Sequence, residues 1–490
     1  MGFLSVQARI RPHKLAVEDL TFNRRWTYAE FELCVAQIAT KLRQQHVVKG
    51  DRVACLSKNR AEIVALHIAC ASVGAIFVPL NWRLSLDELK RIMTDCEPRL
   101  LFADNIGEKH GLQYLKIADL FEETQHLKPQ SESVSDPKTP SLMLYTSGTT
   151  GNPKGVILSE GNLDEAAINF TILGKVDIQS RFLAEAPMFH IIGLVTSVRP
   201  ALYFGATILI SDGFIPERTL NRISDETLGI THYFCVPQMA NALRQEPTFD
   251  PLKLKGLTAL FTGGAPHPEV QIRTWLNDGI PIVDGYGMSE AGTVFGMPID
   301  LQLIAQKAGC VGFATSRVKV RLIKDDGCEA ECGEPGEVQL KGKNITQGYW
   351  RREEEFLASL TDDGWFCTGD IATKDADGYY RIVDRKKDMF ISGGENVYPT
   401  EVEAVVLKLE SVLECSLIGV PDERWGEVGC LFIVLKSGYQ LEDKQAILSF
   451  LEIHLARYKL PKYIKTIDHL PRNGGGKVMK HVLRAAFKTD

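Results

Sequence analysis

Tyr145-Thr146-Ser147-Gly148-Thr149-Thr150-Gly151-Asn152-Pro153-Lys154-Gly155 is the stretch on which the reading of this chain turns. Three Gly, four Ser/Thr hydroxyls and one Lys crowd into a short segment. Apolar runs flank it, Leu142-Met143-Leu144 before and Val156-Ile157-Leu158 after, and each reads as a strand. Glycine lets a backbone approach a phosphate closely and turn its N–H groups toward it. Hydroxyls and an ammonium complete a polyphosphate cradle. This is not the Walker loop, because Pro153 precedes Lys154 and Gly155 follows it. No helix opens directly after it, so the loop itself must supply the donors. A flexible surface turn has much the same composition, and composition alone favours that duller reading.

The rest of the chain sets bounds on the answer. At 490 residues it can bury a large core and hold more than one domain. Apolar content of 44% and charged content of 24% are ordinary for a globular protein. A net charge of −6 argues against a nucleic-acid coat and leaves no polybasic arm for a membrane. The start, Met1-Gly2-Phe3-Leu4-Ser5-Val6, does not read as a signal peptide, and Val6 breaks the myristoylation pattern. The apolar stretch 191–210 is interrupted by Arg199, Pro200 and glycines, so it is not expected to span a bilayer. The 11 cysteines are scattered, which fits a reducing cytoplasm; Cys328 and Cys332 in a Gly/Glu-rich turn read as a chance pair rather than a metal site.

Helix-like and strand-like segments alternate through the first part. Residues 27–42 and 61–73 carry helix patterns, and 51–56 and 75–80 read as buried strands. Such alternation predicts an α/β fold with parallel-rich sheets covered by helices. The polar stretch 124–140 reads as a loop leading to the phosphate cradle. From 318 to 340 the pattern becomes strand–turn–strand around Asp325-Asp326-Gly327. After Asp384 a fresh βαβ-like unit is expected, assembled from 398–409, 412–420, 429–435 and 443–455. The boundary is placed in Asp384-Arg385-Lys386-Lys387-Asp388, giving domains 1–384 and 385–490.

Three further motifs carry chemistry. Gly285-Tyr286-Gly287-Met288-Ser289-Glu290 lacks the third Gly of a dinucleotide fingerprint. It offers instead an aromatic ring, a hydroxyl and a carboxylate on one strand-end loop, suited to adenine, phosphate and Mg²⁺. Gly364-Trp365-Phe366-Cys367-Thr368-Gly369-Asp370 places a carboxylate after a tight turn, where it could accept two ribose hydroxyls. Pro471-Arg472-Asn473-Gly474-Gly475-Gly476-Lys477 sets a Lys on a glycine loop able to enter and leave a site. Taken singly, each is more simply a packed aromatic, a capping Asp or a surface loop.

In order and together, these motifs resemble the adenylate-forming superfamily, and within it the medium- and long-chain fatty-acyl-CoA ligases, along essentially the whole chain. Pro187-Met188-Phe189-His190, Gly263-Gly264-Ala265-Pro266 and Asp384-Arg385-Lys386-Lys387 belong to the match. So does Ser392-Gly393-Gly394-Glu395-Asn396-Val397-Tyr398-Pro399 with Glu401 and Glu403. Ser289 stands where Thr is usual, and Cys367 where a basic or polar residue is common. The resemblance implies a large N-terminal domain with a β-barrel-like subdomain, and a small, mobile α+β C-terminal domain. It implies ATP, Mg²⁺ and CoA: a carboxylate is adenylated, pyrophosphate leaves, and the CoA thiol displaces AMP.

Residue roles follow from the same resemblance. Thr146, Ser147, Gly148, Thr149, Thr150, Gly151 and Lys154 would hold the β- and γ-phosphates. Gly264, Ala265, Asp284, Gly285, Tyr286, Gly287, Met288 and Ile382 would line the nucleotide site. Ser289 would touch the α-phosphate, Glu290 with Thr146 the Mg²⁺, and Asp370 with Arg385 the ribose. Lys477 would bridge carboxylate and α-phosphate, and Lys387 would be the hinge. Ser392, Gly393 and Gly394 would line the CoA tunnel. His190, Ile191, Gly193, Val236, Gly263 and Gly287 would form the acyl pocket, with His190 also a catalytic candidate, although a lone His after Met-Phe commonly packs in a core.

A medium- to long-chain fatty acid is the expected substrate, because the candidate pocket is apolar and offers no Arg for a second carboxylate. Aryl- or o-succinylbenzoyl-CoA ligases and enzymes that load a carrier protein share the motifs. A non-catalytic AMP- or acyl-CoA-sensing module need not keep both Lys477 and Glu290. The expected partners are small molecules, with no nucleic acid, in a monomer or homodimer. The expected location is the cytoplasm, with peripheral contact at the inner membrane face as a variant of it.

Overall fold

A computed structural model describes residues 2–130, 136–146, 153–265, 267–392, 395–439, 444–473 and 476–487. The alternation in the first part folds into two parallel-rich sheets. One has 9 strands and runs from Phe313–Ala314 through Gly292–Gly296, Ile282–Met288, Ala259–Thr262, His232–Cys235, Arg181–Ala184, Thr207–Ile210 and Leu15–Asp19 to Arg24–Thr27. Its inner strands are parallel, and antiparallel pairing appears only toward its edges. The other has 7 strands and contains Arg52–Leu56, Ile76–Pro79, Pro140–Thr146 and Lys154–Ser159. Helix Ala61–Val73 touches strands of both sheets, and its residues are buried on nearly every side. That is why its sequence is apolar all round rather than striped. Helix Tyr28–Gln44 begins at a Thr27/Glu30 capping box, the local signal that fixes its start.

The strands flanking the phosphate segment form as read. Pro140–Thr146 and Lys154–Ser159 pair antiparallel, with Thr146 opposite Lys154. The next helix, Glu160–Gly174, waits until a strand has intervened. The stretch 191–210 becomes a π-helix (Ile192–Val198), a short helix (Arg199–Phe204) and a strand (Thr207–Ile210). No helix among the described residues is long and apolar enough to cross a membrane.

Val318–Ile323, Gly336–Gly342, Phe366–Lys374 and Tyr380–Arg385 form an antiparallel 4-stranded sheet. A bridge from Gly312 to Tyr380 ties it to the edge of the largest sheet. Together they enclose their own core, with Phe295, Val338, Leu340 and Ala372 fully buried. This is the barrel-like subdomain. Cys367 lies across from Gln339, whose amide reaches its sulfur at 3.5 Å.

The C-terminal part departs from the βαβ expectation. Val412–Asp422 and Gly426–Leu435 pair antiparallel as a long hairpin turned by Glu423-Arg424-Trp425. Parallel pairing enters only through Tyr463–Thr466. Two apolar runs of similar length separated by a short turn satisfy their backbone bonds directly, without a crossover helix. One face of this sheet packs on helices Pro399–Val406 and Lys444–His454, the other on Leu470 and Leu483. The result is a small α+β domain beside the large N-terminal one.

Candidate active site

The candidate site is a cleft where strand ends of the large domain meet the loop carrying Lys477. Tyr286 lies on strand Ile282–Met288, its ring 5.5 Å from Phe295, which in turn stacks on Tyr380 at 4.4 Å. The Tyr286 hydroxyl donates to Asp370 Oδ2 at 2.5 Å. Arg385 Nε lies 3.3 Å from the other oxygen of that carboxylate. Asp370 and Arg385 face each other across adjacent antiparallel strands, which is why residues well separated in the chain meet here. Ile382 is packed in the same cluster as Tyr286 and Met288. At Gly287 any Cβ would collide with the Gly292 carbonyl oxygen, so only glycine allows this tight strand return.

Glu290 sits at the end of that return. Its backbone carbonyl accepts from Thr346 N at 2.7 Å, and its carboxylate accepts from Tyr349 Oη at 3.1 Å. Burial pushes the carboxyl up from its ordinary range; the Tyr349 hydrogen bond, Lys477 and Arg385 oppose this. Among the described residues no group of three or more His, Cys, Asp or Glu is arranged to hold a metal. A single carboxylate suits Mg²⁺, which takes most of its ligands from water and substrate phosphates.

Lys477 reaches this cluster from the small domain. Its loop closes on itself: Asn473 N donates to Lys477 O at 2.9 Å, and Lys477 N to Asn473 Oδ1 at 3.0 Å. Arg472 pins the turn by donating to Gly476 O at 2.6 Å. The ammonium feels Arg385, Asp370, Glu290 and Lys387. Desolvation by the surrounding protein, with Arg385 beside it, pushes its pKa down to about 8. The side chain nevertheless keeps exposed surface, and water there lessens the shift. Three cations thus face two carboxylates, a balance that favours a polyanion.

Asp284 is buried at the foot of the cleft, and burial pushes its carboxyl up to about 8. It accepts from Thr262 Oγ1 at 3.1 Å, and that hydroxyl also meets His267 Nδ1 at 3.0 Å. Gly264 adopts φ +83, a conformation open to glycine, where its backbone turns under Ile192 and Val236. Phe234 closes the same wall: its ring approaches Gly263 and stacks on Phe261 at 6.3 Å and 13°, with Phe170 behind at 5.9 Å. Tyr233 points to the other side, donating to Glu185 at 3.2 Å. Gly193 is buried against the carbonyls of Ala186 and Pro187, so Ile192 rather than Gly193 presents a side chain to Gly264. Ile191 is partly buried, packed on the core. His190 is half-buried, its ring 4.5 Å from that of Phe189.

Several sequence-assigned residues stand elsewhere. Ser147, Gly148, Thr149, Thr150 and Gly151 lie outside the described residues, as do Gly393 and Gly394. Ser392 is buried and pairs with Glu395 and Gly426 at the edge of the small-domain sheet. Ala265 and Ser289 follow the ends of strands Ala259–Thr262 and Ile282–Met288, and Gly285 lies within the latter, opposite Gly296. Lys387 follows Asp384, whose carboxylate accepts from Thr400 N at 2.9 Å and so ties this segment to the small domain.

The sequence reading missed Tyr349, Glu355 and Gln238. Lys154 is ion-paired with Glu355 and lies over the Tyr349 ring at 5.4 Å. Gln238 Oε1 would lie 3.9 Å from a Cβ on Gly476, where the small domain's loop approaches the large domain. An aromatic doublet after a glycine and before a run of charges, Gly348-Tyr349-Trp350-Arg351-Arg352-Glu353-Glu354-Glu355, was the available signal.

Comparison with known proteins shows the family. The AMP-binding enzyme family matches residues 4–350, and the AMP-binding enzyme C-terminal domain matches residues 401–477. The chain belongs to the AMP-binding enzyme family, and within the adenylate-forming superfamily it is an acyl-CoA synthetase, an AMP-forming acid–thiol ligase. It is 37% identical to a feruloyl-CoA synthase of Amycolatopsis sp over 98% of this chain and 97% of the relative. It is 34% identical to an indoleacetate–CoA ligase of Aromatoleum aromaticum, over 97% and 96%. It is also 34% identical to a long-chain-fatty-acid–CoA ligase of Mycobacterium tuberculosis, over 99% and 97%. Among solved structures it resembles o-succinylbenzoate CoA synthetase from Bacillus subtilis in complex with its acyl-adenylate, with TM-score 0.89, 29% identity and coverage of 100% and 99%. Enzymes of this kind use ATP, Mg²⁺ and CoA, and so does this one.

Proposed function

We propose that this ligase activates a flat, apolar monocarboxylic acid, an aryl or aryl-alkenoic acid, for transfer to CoA. The observation that carries the acid class is Phe234, half-buried along Gly263 and backed by Phe261 and Phe170. A ring supported from behind offers a planar face for stacking and a firm end to a hydrocarbon chain. Ile192, Val236 and Phe234 bring no cation, so a second carboxylate would be stranded and dicarboxylates should be poor. Similarity to a feruloyl-CoA synthase and an indoleacetate–CoA ligase supports this reading; similarity to a long-chain-fatty-acid–CoA ligase supports the fatty-acid alternative.

The residue roles are part of the proposal. The acid's carboxylate oxygen attacks the α-phosphorus of ATP; the new O–P bond forms as the bond to pyrophosphate breaks. Lys477, aimed at Asp370 and Glu290, offsets charge on the transferring phosphoryl group, with Ser289 at the same phosphate. Asp370 exchanges its present partners, Tyr286 and Arg385, for ribose hydroxyls. Tyr286 and Asp284 receive the adenine. Mg²⁺ at Glu290 would neutralise phosphate charge. The small domain, which we bound at 384/385, then swings about Lys387, withdraws Lys477 and brings Ser392 to the pantetheine path. CoA sulfur attacks the acyl carbon, and AMP leaves with the bonding electrons.

The test is a panel of acids from butyrate through palmitate, with benzoate, cinnamate and ferulate, scored by kcat/KM for thioester formation. Aryl acids should exceed octanoate. A rise through octanoate and beyond, with weak aryl acids, would transfer the assignment to fatty acids.

A further inference from the structure

We propose that Tyr349 is a positioning residue that couples the two ends of the triphosphate site, Glu290 and Lys154; this rests on the roles assigned to those two residues above. Tyr349 Oη donates to Glu290 Oε1 at 3.1 Å, while the Lys154 ammonium lies over the same ring at 5.4 Å. One side chain therefore touches both the carboxylate assigned to the metal and the cation assigned to the phosphates.

The backbone around Tyr349 is built for this. Tyr349 pairs with Val156, just past the phosphate loop, and Trp350 N donates to Gly155 O at 2.7 Å. Three residues earlier, Thr346 N holds the Glu290 carbonyl at 2.7 Å, so one short segment grips both the loop's exit and the main chain of Glu290. Phe356 meets the Tyr349 ring edge-on at 5.9 Å and fixes its plane. Glu355 pairs with Lys154, holding the ammonium at the ring. With one oxygen engaged by the phenol, the Glu290 carboxylate cannot turn freely, and a fixed carboxylate loses less entropy on meeting a cation.

Tyr349→Phe keeps the ring, its Phe356 packing and the Lys154 contact, and removes only the hydroxyl. In the presence of a non-hydrolysable ATP analogue, Mn²⁺ affinity read by electron paramagnetic resonance should fall about 10–100-fold, the range for lost partners of metal ligands. Pyrophosphate release should need correspondingly more Mg²⁺ and recover when Mg²⁺ is saturating. Thioester formation from synthetic acyl-adenylate and CoA should not change. Unchanged Mn²⁺ affinity in Tyr349→Phe, beside weakened affinity in Glu290→Gln, overturns the proposal alone. Unchanged affinity in Glu290→Gln overturns the metal reading of Glu290 and the proposal with it. Loss of both half-reactions that Mg²⁺ does not restore would mean a merely structural tyrosine. Tyr349→Met is the second variant: lacking ring and hydroxyl, it should weaken analogue binding even at saturating Mn²⁺.

Discussion

The nucleotide half of the cleft and the Lys477 loop are built on opposite principles. Tyr286, Glu290 and Asp370 stand on strands or strand ends, each held by partners from another strand or segment: Asp370 for Tyr286, Tyr349 for Glu290, Arg385 for Asp370. Beneath them Phe295 and Ala372 are fully buried. Lys477 instead rides on a turn tied mainly to its own neighbours, Asn473 and Arg472. Across to the large domain it interacts electrostatically with Arg385, Asp370 and Glu290. Binding needs groups that do not move; a two-step reaction needs one group that arrives and leaves. On the proposed roles, this difference would let one site serve both half-reactions.

Removing Lys477 should give the largest effect. Lys477→Ala is expected to lower adenylation by about 10²–10³-fold, the usual loss for one preorganised charge-stabilising group. Conversion of synthetic acyl-adenylate and CoA to thioester should persist. Equal loss in both half-reactions would erase the contrast between the two regions.

Freezing the hinge tests the same contrast from the other side. Proline at Lys387 fixes φ and resists rotation. Lys387→Pro is expected to make acyl-adenylate normally but to release thioester at least about tenfold more slowly, so acyl-AMP accumulates on the enzyme. Chromatography of quenched single-turnover mixtures would reveal it; full turnover would move the hinge elsewhere.

The pH profile separates the regions without mutation. Burial lowers the Lys477 pKa to about 8, so the ammonium is present below that pH and lost above it. Adenylation should therefore decline as pH rises through about 8, by up to about tenfold per unit beyond it. Thioester formation from synthetic acyl-adenylate should lack this limb. A shared limb would assign the titration to another group.

The smallest effect is expected within the rigid half. Phe234→Ala should shift kcat/KM by about tenfold from aryl toward longer alkyl acids, the scale for reshaping an apolar pocket. An unaltered preference would take Phe234 out of the acyl wall.

Sequence alone determined the family and the reaction, and it named the residues now proposed to face the nucleotide. The reason is local: glycine loops, strand-end carboxylates and a lone Lys on a glycine turn must occur at set places in the chain, whatever surrounds them. Capping at Thr27 and the apolar run of Ala61–Val73 likewise announced their helices. Tertiary structure alone decided three other matters. It paired Val412–Asp422 with Gly426–Leu435 as a hairpin where periodicity suggested βαβ, because strand direction is set by partners and not by pattern. It turned Phe234 toward Gly263 and Tyr233 toward Glu185, a choice fixed by which face of one strand meets the core. And it brought Tyr349 to Glu290 across 59 residues of chain, a contact that no spacing could announce because it depends on how two sheets pack.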